Sequence, residues 1–196
     1  MSTSVGTGRL EAFSDGVIAV IITIMVLELH APHEPTFAAL QAEAPNFLVY
    51  ALSFLIVAIM WINHHHLLRH ARCGSTGLNW SNMFLLFWMS LVPFNTAWLG
   101  EHPMAMAPIT VYEADLAMCS IGFLLLQSAL ACQNREKPAS ICYFGRIRLK
   151  AAIGVALYAV AAAIPGWSPY ASLAIFVIIP AAYFWPDPKG ELAIES

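Results

Sequence analysis

The chain has 196 residues, 59% of them hydrophobic and only 11% charged, with a formal net charge of −3. A soluble domain carries about 25% charged residues, so this balance excludes an ordinary water-soluble protein. No long polar segment is left from which a large soluble domain could be built, and the expected fold class is all-α, a polytopic membrane protein.

The first apolar segment covers about 9–30 and is long enough to cross a bilayer, since about 20 helical residues span the roughly 30 Å hydrocarbon core. Arg9 precedes it, as in a secretory signal peptide. However, the run is too long for a signal core, Asp15 and Glu28 flank it, and no small-x-small cleavage site follows. It reads as a retained helix. A second segment, about 46–68, opens at Pro45-Asn46 and closes on His64-His65-His66, and a third covers about 79–99. The fourth, about 108–132, has Pro108 at its first turn, where a missing N–H is harmless. The fifth, about 147–164, stops at Pro165-Gly166, and the sixth, about 169–185, stops at Pro186. Residues 1–196 thus read as a single domain of six transmembrane helices.

Six helices place all nine Lys and Arg on one side of the membrane. The opposite loops hold Glu34, Glu43 and Glu101 and no basic residue. Positive charge marks the cytoplasmic side, so both termini are expected there. The four cysteines avoid the outer loops, and no disulfide framework is indicated.

At 100° per residue, Phe13, Gly16, Val20, Thr23, Ile24, Leu27 and Ala31 fall within roughly 60° of one line, whereas Asp15 lies about 140° and Ser14 about 120° from it. The first helix therefore has an apolar ladder with a single hydroxyl on one face and an acid on another. Such a ladder packs against neighbouring helices in most bundles; alternatively it lines a pore, where hydrophobic constrictions gate by dewetting. Val20 to Leu27 would span about 10 Å of such a pore.

An acid inside a span needs a partner. Asn63, His64, His65 and His66 end the second helix at the same depth as Asp15, and Asn79, Trp80 and Asn82 begin the third there. A polar layer of acid, imidazole, amide and indole is expected, with Arg9 reaching in as a counter-charge. A metal centre is not expected, because consecutive histidines cannot all face one ion and the i, i+4 zinc pattern is missing; His66 and His70 have no third ligand. No GxSxG, HExxH, Walker A loop or Gly-rich dinucleotide fingerprint occurs, so no enzyme activity, cofactor or nucleic-acid partner is expected. Glu28, Glu34, Glu43, Glu101, Glu113 and Asp115 read as an acidic outer face, either solvated loops or a vestibule that concentrates cations.

Arg9-x-x-x-Phe13-Ser14-Asp15-Gly16 resembles the signature of the endolysosomal and prokaryotic potassium-channel family, transmembrane protein 175. Trp61-x-x-His64-His65-x-Leu67 looks like the end of that family's second helix, and Trp80-x-Asn82 with Leu91-Val92-Pro93-Phe94 looks like its third. The likeness covers roughly residues 9–99; beyond that only the hydropathy pattern agrees. The resemblance implies a homotetramer of six-helix subunits in a bacterial inner membrane, with the first helix lining a potassium-selective pore that lacks a TVGYG filter. By position, the constriction would be Val20, Ile24 and Leu27, with Thr23 contributing a hydroxyl. Arg9, Phe13, Ser14, Asp15, Gly16, His64, His65, Trp80 and Asn82 would form the structural network bracing it. Val20 is shorter than the Ile or Leu expected there, which points to a wider constriction. The permeant species would be potassium, the partners monovalent cations, the bilayer and further copies of the chain. One alternative is a proton-coupled secondary transporter in which Asp15 and His64 or His65 titrate. Another is a small membrane enzyme or haem protein using the histidine cluster.

Overall fold

The computed structural model describes residues 5–136, 138–163 and 178–179, and the elements it assigns there are all helices. They are α1 (Val5–Leu27), α2 (Phe37–Ala42), α3 (Ala44–Leu68), α4 (Thr76–Met89), α5 (Val92–Glu101), α6 (Met106–Gln133) and α7 (Pro138–Ala163). The sixth helix expected over 169–185 lies outside the described residues apart from 178–179. Among the described residues four stretches are long and apolar enough to cross a membrane: Thr7–Leu27, Ala44–Leu68, Thr76–Glu101 and Met106–Gln133. α7 is long enough but carries Arg146, Arg148 and Lys150 in its first half.

Local chemistry sets the boundaries. The Thr36 hydroxyl accepts from Ala39 N–H to cap α2, a short outer helix not anticipated from the sequence, and Ser75 does the same for α4 through Leu78 N–H. Proline stands in the first turn of α3 and of α5. The third span, expected as one helix over 79–99, is in fact two. Pro93 has no N–H to give, and its ring crowds the carbonyl of Met89, one turn back. The chain tightens there: Leu91 N–H bonds Trp88 O at 3.0 Å before Asn95 N–H to Leu91 O resumes the helix.

α1 packs on α3, α4 and α5; α6 lies behind α4 and α5, and α7 packs on α6. On α1, Ser14, Ile18, Ile21 and Met25 are buried at spacings of four, three and four, the stripe that a 3.6-residue repeat aligns on one face. The helices α4 and α6 approach most tightly at Gly122, where a Cβ would sit 2.9 Å from Leu85 Cα and 3.0 Å from its Cβ. Backbone cannot yield as a flexible side chain does. Gly122→Val is therefore expected to cost about 3 kcal/mol, read as a lower thermal midpoint of the detergent-solubilised protein.

The two ends of the bundle differ in charge. The Asn82–Ser14 bond joins the first halves of α4 and α1, Gln133 holds the α3–α4 loop at Cys73, and His70 meets Tyr143 with ring centroids 5.6 Å apart. Arg9, Arg69, Arg72, Arg135, Arg146, Arg148 and Lys150 all belong to that end. At the other, Asn46 of α3 touches Gly100 of α5, and the acids are Glu28, Glu34, Glu43 and Glu101.

Glu113 and Asp115 do not belong to that acidic rim. Both lie inside α6 and are buried, 1% and 2% exposed, so the expectation that they face the outer solution is corrected. α6 begins at Met106, two residues before Pro108, and by its second and third turns Tyr112 bonds Ser53 of α3 and Asp115 accepts from Asn95 of α5.

Candidate functional site: the first helix

Two sets of polar contacts hold α1 to its neighbours at the basic end. The first is fully buried. Asn82 Nδ2 donates to Ser14 Oγ at 2.8 Å, and the Ser14 hydroxyl donates in turn to Leu10 O at 2.8 Å. Because the Asn82 amide nitrogen is used there, its oxygen is the acceptor for His64 Nε2 at 2.7 Å, which makes Nε2 the protonated ring nitrogen. Ser14, His64 and Asn82 are all 0% exposed. One residue from each of α1, α3 and α4 thus joins a buried chain of direct hydrogen bonds, the internal pairing that polar groups at membrane depth favour.

The second set is half-exposed. Trp61 Nε1–H donates to Asp15 Oδ1 at 2.8 Å, Trp61 stacks on His65 at 5.9 Å and 26°, and His65 Nδ1 lies 3.0 Å from Glu11 Oε1. Glu11 and Asp15 are four residues apart on α1, as are Trp61 and His65 on α3, so two one-turn pairs meet across an antiparallel crossing.

Of the expected network residues, Ser14, Asp15, His64, His65 and Asn82 are therefore brought together. Arg9 and Trp80 are exposed and outside both sets, and Phe13 and Gly16 lie on the open side of α1. The indole that meets Asp15 is that of Trp61, where Trp80 had been the expected candidate. The i, i+4 spacing of Trp61 with His65 and of Glu11 with Asp15 was the available signal. Trp61→Phe is expected to cost about 1 kcal/mol, whereas Asp15→Asn, which keeps an acceptor oxygen for the indole, stays nearer the wild type. Thermal unfolding of the two variants checks both.

A further buried polar group was not anticipated on the fourth predicted helix. Tyr112 donates to Ser53 Oγ at 2.8 Å and lies 3.4 Å from Thr96 Oγ1, and Asn95 Nδ2 donates to Asp115 Oδ2 at 2.7 Å. These contacts tie α3, α5 and α6 together. Tyr112 and Asp115, three apart on one helix, were the signal in the sequence.

The apolar ladder faces away from all of this. Val20 is 54% exposed, Ile24 40% and Leu27 74%, while Met25 between them is 0%. Thr23 is exposed, and its hydroxyl donates to Val20 O at 2.9 Å. With its proton committed to the backbone, the oxygen offers outward only lone pairs, which suit a cation. Between α1 and α5 runs an open groove of about 780 Å³, lined by Gly16, Val20, Ile24, Pro93, Phe94 and Ala97, with Glu28 among its lining residues.

Known proteins match along this same stretch. The family model for the endosomal/lysosomal potassium channel TMEM175 matches residues 9–93. A protein of Chryseobacterium sp. (strain P1-3) named as a potassium channel is 35% identical over 190 residues, which is 96% of this chain and 98% of that one. The crystal structure of a lysosomal potassium-selective channel TMEM175 homolog from Chamaesiphon minutus is similar with a TM-score of 0.79 and 30% identity, covering 90% of this chain and 95% of that one. The human endosomal/lysosomal proton channel TMEM175 is 29% identical over 169 residues, 76% of this chain and 33% of that protein.

Proposed function

From the chain's membership of the TMEM175 family of ion channels, which makes it a membrane cation channel and not an enzyme, we propose that it conducts potassium selectively through a pore lined by α1. The observation that carries this reading is the division of α1 into two faces. Its buried stripe (Ser14, Ile18, Ile21 and Met25) anchors the helix to its own subunit, which leaves Val20, Thr23, Ile24 and Leu27 for a surface shared with other copies. Four such faces around an axis make a narrow apolar tube about 10 Å long. Water leaves a constriction of that kind readily, so it resists hydrated ions. The Thr23 oxygens replace part of the lost hydration, and Glu28 with the other acids at the same end raises the local cation concentration. The polar contacts at the basic end hold the angle of α1, and hence the bore. The assembly is a homotetramer in a bacterial inner membrane, with the basic end cytoplasmic; no resident cofactor or metal takes part.

The relatives are named for two different ions, potassium and proton, so selectivity is the decisive measurement. Purified protein in liposomes should give reversal potentials that follow the potassium gradient and shift little with sodium or pH, and a mass in detergent equal to four chains. A reversal potential that tracks the proton gradient would reject potassium selectivity, and a monomeric mass would reject the shared pore. The alternative is a proton-coupled transporter using Asp15 with His64 or His65; Asp15 and His65 share the half-exposed set through Trp61, whereas His64 bonds Asn82 in the buried one. Unitary currents in single-channel recordings would exclude it, because a transporter cycle cannot produce them.

A further inference from the structure

α7 presents two unlike faces. Tyr143, Phe144, Ala151, Tyr158 and Ala161 are buried in its packing, and the neighbour it packs against is α6. On an adjoining face Arg146, Leu149, Lys150, Ile153, Leu157 and Val160 are all exposed. At 100° per residue these six lie within about 60° of one line. The result is a continuous outward strip with two positive charges near its start and an aliphatic run beyond them.

The depth of those charges is set by α3. His70, just past the end of α3, meets the Tyr143 ring at 5.6 Å and the Phe144 ring at 6.2 Å. Arg146 and Lys150 are three and seven residues further along α7, about 5 and 10 Å further in at 1.5 Å per residue. That level approaches the buried His64, six residues back along α3 from His70. Two cations therefore stand on the outer surface of the bundle below the plane where the helices end, beside the acyl chains. A positive side chain there either extends its head outward or meets an anion at the headgroup boundary.

We propose that this strip binds one anionic phospholipid, its phosphodiester between Arg146 and Lys150 and an acyl chain along Leu149, Ile153, Leu157 and Val160. The i, i+4 spacing puts the two side chains about 5–6 Å apart at Cβ, a gap that one phosphate bridges. Arg146 donates to Cys142 Sγ at 3.6 Å, and both basic residues have a further interaction within the chain. A guanidinium has five donors and an ammonium three, so donors remain for phosphate oxygens. The aliphatic run distinguishes a lipid from free phosphate, which has no use for it. A second copy that presented this same face is disfavoured as occupant, because two like charges would then meet two others. The lack of a cation on the headgroup distinguishes an anionic lipid from phosphatidylcholine, whose choline repels the same pair.

Native mass spectrometry of the full chain in neutral detergent, titrated with phosphatidylglycerol or phosphatidylcholine of matched acyl chains, tests the site. The expected preference for phosphatidylglycerol is roughly 20-fold, from two basic residues near an anionic headgroup. Arg146→Gln with Lys150→Gln should bring it down to about the phosphatidylcholine level, Arg146→Lys with Lys150→Arg should keep it, and Arg69→Gln in the adjacent loop should leave it within about twofold. The wild-type comparison is decisive even if the glutamine pair does not fold: no preference there overturns the proposal. So does a glutamine pair that keeps the preference, an equal loss with Arg69→Gln, or displacement of the lipid by inorganic phosphate.

Discussion

Asn82→Ala is expected to lower the thermal midpoint of the protein by on the order of 10 °C. Asn82 is fully buried, and its amide is spent at both ends, on Ser14 and on His64. Truncation removes two hydrogen bonds and strands the His64 Nε2–H where neither water nor another donor or acceptor replaces the amide. A buried polar group left unmade costs about 1–3 kcal/mol, so two bonds and the stranded donor amount to about 4 kcal/mol. At about 2–4 °C per kcal/mol for a chain of this size, the midpoint shift follows. Ser14→Ala removes only one partner and should cost about half as much. Comparing Asn82→Ala, Ser14→Ala and the double variant isolates the coupling, which should be about 1 kcal/mol or more. Independent effects of the two changes, or a midpoint for Asn82→Ala within about 2 °C of the wild type, would mean that this layer does not hold α1 in place. The other half of the brace is less demanding. Asp15 and Glu11 remain half-exposed, so water can replace part of what a substitution removes, and smaller effects are expected there.

Leu27→Ala should act on permeation and leave stability nearly unchanged. Leu27 is 74% exposed within the subunit and contributes little to its core, yet it is the outermost rung of the proposed constriction. Removing three carbons from each of four rungs widens an apolar tube at its narrow point and lowers the barrier to wetting. Potassium flux into liposomes should rise several-fold, and discrimination against sodium should fall because more of the hydration shell passes intact. Met25→Ala, two residues earlier on the buried face, is the opposite case. It should cost about 2–5 kcal/mol of stability by opening a cavity, with the reversal potential unchanged in whatever protein folds. If Leu27→Ala left both conductance and selectivity at wild-type values, α1 would not line the pore. If Met25→Ala changed selectivity, the two faces would be assigned the wrong way round.

On the proposed reading α1 has two apolar faces, and apart from Thr23 its polar residues sit at one end. A helix that is to be apolar both toward its own core and toward the proposed pore has little lateral room for a strong polar anchor. Ser14, Asp15 and Glu11 occupy the turns before the ladder begins, where bonding to α3 and α4 sets the rotation of the whole helix. Leu27 lies about 20 Å of helix from that end, so on the proposed reading small changes in the brace would reach the bore as changes in tilt.

Much of this was legible in the sequence, and the reason is periodicity. Hydropathy over about 20 residues reports a span wherever it occurs, and a 100° step assigns residues to faces without knowledge of the neighbours. The membrane class, the positions of the first four of the six expected apolar spans, the gathering of basic residues at one end and the separation of Val20, Ile24 and Leu27 from Ser14 and Asp15 all follow from local pattern. What depended on packing was not legible. Trp61 and Trp80 are both indoles at the right depth, and only the crossing of α3 with α1 makes Trp61 the partner of Asp15. Glu113 and Asp115 looked like acids of an outer rim, because a charge near the start of a helix is normally solvated; both are buried, Asp115 where Asn95 of α5 donates to it. The third span read as one helix because its hydropathy is continuous through Ser90 and Leu91, although Pro93 breaks the hydrogen-bond ladder there. A one-dimensional pattern states how each helix divides its surface, whereas the choice of hydrogen-bond partner is made where two helices cross, by distances that no single helix contains.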